Sequence, residues 1–248
     1  KSEGKHGQDI CQNEGRLNFM HKMIDDLKDF IRVQPYSWPL IIFVAVCYFI
    51  FARLSLQLAF AGTNASAVWP PSGLAFVAVL LWGLRIWPGL FIGAFFVNAY
   101  VYSLNGLAPL GEIIIVSFLI AIGNTLETVV GYKLYQKYIN TINPLNSVRN
   151  VIAFLIIAFV MCLVSALNGP TWLVLLGHFP GVLYSTIFST WWIGDVAAVL
   201  TIAPAFWFFR SMFTQLPLKK IYLVHLSFFV IILVLANLLL FGGSYEIS

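Results

Sequence analysis

Three ionisable side chains fall inside otherwise apolar stretches of this 248-residue chain: Arg53, Glu127 and Asp195. A charge in such surroundings is costly unless partnered, so each is by default a candidate functional group. Arg53 and Asp195 are expected at similar depth, where an ion pair would remove two charges from lipid; pinning two helices together is the plainer role for the same pair. Glu127 stands with Asn124, Thr125 and Thr128, a set suited to hydrogen bonds between helices. A further group gathers small polar side chains, an aromatic ring and irregular backbone: Asn64, Ser66, Trp69, Pro70, Pro71, Ser72 and Gly73. Irregular backbone at membrane depth is tolerated where it is buried in protein or lines a cavity. This segment therefore reads either as a ligand pocket or as a plain helix-entry turn.

Other chemistry finds no footing. The histidines His6, His21, His178 and His225 do not fall at metal-ligand spacing on any one segment. Cys11, Cys47 and Cys162 are too scattered for a disulfide framework or a metal site. No arrangement of Ser, His and Asp or of Cys and His suggests a nucleophile. The expectation is no catalytic residue, no metal and no cofactor. The net charge of +4 does not point to nucleic acid, because membrane proteins collect Lys and Arg on one side.

The elements that must position these residues follow from composition. Hydrophobic residues make up 60% of the chain and charged residues 10%, where a soluble domain carries about a quarter charged. The apolar residues come in runs able to cross a hydrocarbon core roughly 30 Å thick. The fold class is all-α, a polytopic transmembrane bundle, with seven spans expected: Trp38–Leu58, Val68–Leu84, Ile86–Ser103, Ile113–Tyr132, Val151–Leu167, Val182–Phe209 and Ile221–Phe241. The sixth is long for one crossing and is expected to tilt, to project outward or to break near Gly194.

Charge orients them. Of the 14 Lys and Arg residues, all but Arg53 fall before the first span or in alternate connections, around Arg85, Lys133 to Arg149 and Arg210 to Lys220. The positive-inside tendency then places the N-terminus in the cytoplasm. Seven spans from that start leave Ser248 outside, so a further helix beyond this chain is expected. Residues 1–37 form a cytoplasmic N-terminal segment ahead of the membrane domain, 38–248. Within it Leu17, Met20, Ile24, Leu27 and Ile31 are spaced for an amphipathic helix on the membrane surface or a partner. A solvated lead-in suits the same residues.

Two spans open on Trp-Pro, at Trp69-Pro70 and Trp87-Pro88. A proline in the first turn forfeits no intrahelical bond, and tryptophan suits the membrane boundary. Gly89 and Gly93 make a small face on the third span for close contact with another helix or, as the alternative, with a second copy of the chain. Asn98 lies toward the outer end of that span.

Three blocks, NASAVWPPSGLA (Asn64–Ala75), LRIWPGLFIGAFFVN (Leu84–Asn98) and WWIGDVAAVLTIAP (Trp191–Pro204), together resemble the bacterial membrane-associated sensor domain of the first type. The resemblance runs from about Trp38 to Phe241. It implies an input module of about eight helices in the bacterial inner membrane, placed before diguanylate cyclase, cyclic-di-GMP phosphodiesterase or histidine kinase domains. It implies attention to Trp69, Pro70, Pro71, Ser72, Gly73, Trp87, Pro88, Gly89, Trp192, Gly194, Asp195 and Pro204.

The expected function is a sensory input domain without enzymatic activity of its own. Its partners would be the bilayer, a small-molecule or membrane-state stimulus, and a cytoplasmic output domain. The stimulus would be read in the outer half, among Asn64–Gly73, the 168–181 loop and Asp195. Two other functions fit the same residues: a small transporter or channel using Arg53, Glu127 and Asp195, and an anchor that only dimerises its output.

Overall fold

The computed structural model describes residues 37–57, 68–104, 109–141 and 144–215, with side chains up to Arg210. Six α-helices fill them: α1 (Trp38–Gln57), α2 (Pro70–Trp82), α3 (Trp87–Leu104), α4 (Leu110–Tyr138), α5 (Val148–Leu175) and α6 (Tyr184–Gln215). One-turn 3-10 helices at Leu84–Ile86, Pro144–Asn146 and Gly181–Leu183 sit between them. Among the described residues there is no strand.

Five segments are long and apolar enough to cross a membrane: Trp38–Leu56, Leu84–Leu104, Leu110–Tyr138, Val148–Leu175 and Gly181–Arg210. Helix α2 has 13 residues, roughly 20 Å at 1.5 Å per residue, which falls short of a full hydrocarbon core. It ends because Gly83 has φ 72°, a backbone state that side chains oppose. Of the seven expected spans, five therefore stand as long apolar helices and the second as a shorter one. The seventh, like the N-terminal amphipathic segment, lies outside the described residues.

Two boundaries differ from the sequence reading. Helix α4 runs on past Tyr132 to Tyr138, so Lys133 and Lys137 ride on its last turns. Helix α5 runs through Asn168-Gly169-Pro170 to Leu175, leaving only a short connection where a 168–181 loop was expected. Asn-Gly-Pro normally marks a turn. Here packing overrides it: Gly169 packs against the Trp191 ring, and Asn168 Nδ2 donates to the Leu119 carbonyl at 2.7 Å. Helix α6 is likewise continuous through Gly194 and Pro204.

Side-chain contacts fix the helix directions. Helices α1 and α3 run the same way, with Gly89 on Ile41 and Val44 and Gly93 on Ala45 and Tyr48. This contact occupies the glycine face of α3 within the chain. Helices α2 and α6 also run together: the Trp69 N–H donates to the Gly194 carbonyl at 3.0 Å, and Gly73 rests on Ala198 and Ile202. Helices α4 and α5 are opposed, with Gly123 facing Asn168 and Gly131 facing Met161. So are α5 and α6, where Gly169 meets Trp191 and the Phe154 ring meets Trp207. Tyr102 near the end of α3 packs with Ile113 and Val116 near the start of α4. The bundle thus alternates up and down, α2 included. Arg85, Lys133, Lys137, Arg149 and Arg210 gather at one end, and Arg53 lies toward the other.

The core at the basic end is aromatic. Phe76, fully buried, lies 6.0 Å from the Tyr135 ring and 6.4 Å from Phe154, which in turn lies 4.9 Å from Trp207. Outward faces carry bulky apolar residues such as Ile42, Phe43, Val46, Ile152, Ile156 and Phe159. That outward distribution suits hydrocarbon rather than water.

Helix α2 depends on Gly73, where a Cβ would fall 2.5 Å from the Ala198 carbonyl oxygen, a backbone atom unable to swing away. Gly73→Ala is expected to destabilise the bundle by about 1–3 kcal/mol. Gly111→Ala, where a Cβ meets nothing within 4 Å, should be neutral or stabilise by up to roughly 1 kcal/mol. Thermal unfolding of the two purified variants checks the contrast.

Candidate functional site

Asp195 is the centre of the non-basic half. It lies on the inward face of α6, 5% exposed. Ser72, in the first turn of α2, donates its hydroxyl to Oδ1 at 2.8 Å. Ser165, midway along α5, donates to Oδ2 at 2.6 Å. Short bonds to an ionised carboxylate are among the stronger hydrogen bonds available to a protein. Each oxygen keeps acceptor capacity after receiving one of them. The approach of α2 that brings Ser72 into range rests on Gly73 and on Gly194, whose carbonyl receives the Trp69 N–H.

A second carboxyl lies close by. Glu127 on α4 is 1% exposed. Its Oε1 stands 3.5 Å from Cys162 Sγ, and its Oε2 is buried without a hydrogen-bond partner. Ser72 and Ser165 give their hydroxyls to Asp195, and Cys162 on α5 gives its thiol to Glu127. Four helices, α2, α4, α5 and α6, therefore converge on two acidic groups. No basic side chain among the described residues answers them. The Arg53 guanidinium is stacked over the Tyr100 ring, 4.4 Å from its centroid, a cation–π arrangement. The described hydrogen bonds of Asp195 are to serines, so the ion pair weighed from the sequence is replaced by two separate solutions.

Beside Asp195 opens a cavity of about 70 Å³. Its polar and aromatic wall comprises Trp69, Asn98, Tyr102, Asn124, Trp191 and Asp195, and Leu56, Val97, Val101 and Ile120 complete it. A cavity of that size holds several waters or one small solute. Asn98 Nδ2 donates to the Ala94 carbonyl at 2.8 Å, and Asn124 Nδ2 donates to the Tyr48 hydroxyl at 3.2 Å. Both amides thus spend a donor on the protein.

The structure joins some of the expected residues and separates others. Trp69, Asn98 and Asp195 share the cavity, Ser72, Gly73 and Gly194 build the α2–α6 contact behind it, and Pro70 and Pro71 open α2. Trp87 and Pro88 open α3 beyond the far end of α2, so they belong to the basic end. Trp192 points elsewhere: its indole N–H donates to the Phe159 carbonyl at 3.0 Å, and its ring stacks on Phe188. Its neighbour Trp191 lines the cavity instead. Asn64 and Ser66 lie outside the described residues. Ser165, Cys162, Tyr48 and Trp191 complete the site without having been expected there. Their one signal was polarity or bulk within an apolar run, and spacing alone cannot say which of several such residues face each other.

What can this arrangement do? A serine hydroxyl bonded to a carboxylate with no histidine between them is not an activated nucleophile. Among the described residues no three His, Cys, Asp or Glu side chains come together to hold a metal. The arrangement can bind, and it can couple binding to helix packing.

An all-helical bundle with five helices long and apolar enough to cross a membrane defines a polytopic integral-membrane module. The MASE1 family model matches residues 40–244, and the chain belongs to that family, a membrane-associated sensor domain found in diguanylate cyclases, phosphodiesterases and histidine kinases. No curated protein and no solved structure matches it significantly. The chain is a membrane sensory input module.

The two serine bonds should be expensive to lose. Ser72→Ala and Ser165→Ala are each expected to cost about 1–3 kcal/mol, because a buried carboxylate loses a donor. The double variant should depart from additivity, since both donors serve one group. Chemical denaturation or thermal unfolding in detergent measures both effects.

Proposed function

We propose that the cavity beside Asp195 is where this domain reads its stimulus, and that helix α6 carries the result toward a cytoplasmic output domain. A single observation carries the reading. One cavity is bordered by α1, α3, α4 and α6 and by Trp69 at the entry to α2, and the carboxyl on its wall also bonds α2 through Ser72 and α5 through Ser165. An occupant therefore meets every described helix directly or through one hydrogen bond. It shifts the bundle only in so far as it binds one helix arrangement better than another. The basic end faces the cytoplasm in this reading, in keeping with the gathering of Lys and Arg there. The cavity then opens in the outer half of the bacterial inner membrane.

The test is made in a protein carrying the output domain, with its product or phosphorylation state as readout. Asn98→Leu fills the cavity without touching the Asp195 cradle, and Asp195→Asn keeps the shape but removes the charge. Both are expected to lock output high or low at normal protein abundance. An unchanged stimulus response in both variants would remove the cavity from the signalling path. Sustained Asp195-dependent solute flux in proteoliposomes would replace the sensor reading with a transporter.

Orientation has its own check. A cysteine introduced as Gly177→Cys should react with a membrane-impermeant thiol reagent in intact cells. Thr141→Cys should react only after permeabilisation. The reverse pattern would invert the bundle.

A further inference from the structure

The cavity carries one carboxyl group on its wall, that of Asp195. Behind it lies Glu127, buried, with an oxygen that has no hydrogen-bond partner. Arg53 is engaged over Tyr100, the other described Lys and Arg residues lie at the opposite end of the bundle, and His178 packs behind the cavity wall with its ring 5.7 Å from that of Tyr102. The wall also offers neutral acceptors beside the donors of its amides, indoles and the Tyr102 hydroxyl. The Asn98 and Asn124 amides each direct Nδ2 to a protein oxygen, which leaves their own oxygens outside those bonds. Asp195 retains acceptor capacity beyond its two serine bonds. The remaining polar and aromatic surface consists of Trp69, Tyr102 and Trp191, whose ring faces attract cations.

Resting on the cavity as the sensing site, we infer that its ligand is a small organic cation of the alkylammonium class. The N–H groups of such an ion would donate to Asp195 and to the amide oxygens, and its carbon atoms would lie against the indole faces. A carboxylate or phosphate would meet like charge with no cation to receive it. A neutral apolar molecule would leave the acceptors unsatisfied, which is costly in a buried site. The volume of about 70 Å³ restricts the class to ions with few carbons.

The experiment follows thermal unfolding of the full chain in nanodiscs against methylammonium, ethylammonium and tetrabutylammonium chloride, with sodium chloride and sodium acetate at matched ionic strength. Ligand bound to the folded state raises the unfolding temperature by mass action. Saturable stabilisation is expected from methylammonium and ethylammonium and from neither tetrabutylammonium nor acetate. Asp195→Asn should weaken the apparent affinity roughly thirtyfold or more, as for loss of a buried charge partner. Asn98→Leu and Trp191→Leu should abolish it, and they decide the matter if Asp195→Asn does not fold. Equal stabilisation by sodium chloride, or an ammonium effect untouched by these variants, would overturn the assignment. Altered signalling in Asn98→Leu without any ammonium binding would keep the cavity as the sensing site and discard the cation. Loss of both would discard both.

Discussion

The arrangement of this bundle depends on two carboxyl groups that have been taken out of water without a basic partner. Isolating a charge in a medium of low polarity is prohibitive unless hydrogen bonds or counter-charges compensate it. Asp195 is compensated by hydroxyls from Ser72 and Ser165, which belong to two different helices. For both to reach it, α2 and α5 must close on α6 at one level of the bundle. The glycines are placed accordingly: Gly73 admits the α6 backbone, and Gly169 admits the Trp191 ring one turn from Asp195. Glu127, with one oxygen on Cys162 and the other unpartnered, adds a demand that the protein meets only in part. Incomplete satisfaction of a buried network is a natural place for a molecule to respond to something that arrives from outside.

The two halves of the bundle are built differently for this reason. At the basic end, Phe76, Tyr135, Phe154 and Trp207 interlock through ring contacts, and no compensation of charge is needed. At the other end the helices meet through serines, asparagines and glycines around a cavity. Helix α6 passes through both, presenting Asp195 to one and Trp207 to the other. About three turns and Pro204 separate those residues, so the carboxyl and the aromatic packing are joined by one continuous helix.

Much of this was legible in the sequence. The all-helical membrane class followed from run length and low charge, and five expected crossings stand as long apolar helices. The alternation of Lys and Arg anticipated the up-and-down course of the chain, α2 included, although the span expected over Val68–Leu84 holds a helix of only 13 residues. Asp195 and Ser72 were recognisable as polar groups out of place. Their meeting was not, because they are separated by 123 positions and no local pattern links them. The choice of Trp192 over Trp191 shows the same limit: adjacent residues on a helix face about 100° apart, and only the neighbouring helix decides which side is inward. The Asn168-Gly169-Pro170 segment misled for a tertiary reason, since its glycine serves ring packing rather than a turn.

The energetic scale of the site suits a switch. Allosteric coupling in proteins typically amounts to about 1–3 kcal/mol. A hydrogen bond to a buried charged group contributes about 1.5–3 kcal/mol, so redistributing one serine bond is enough to bias two helix arrangements. A ligand placed against Asp195 takes the lone pairs that Ser72 and Ser165 leave open, and so draws on the same carboxyl group that holds α2 and α5 to α6. The effect requires no large ligand and no long chain of intermediates. It requires only that the carboxyl group be shared between the packing of the bundle and whatever enters the cavity, and Asp195, bonded on one side and bordering the cavity on the other, is placed to be shared in that way.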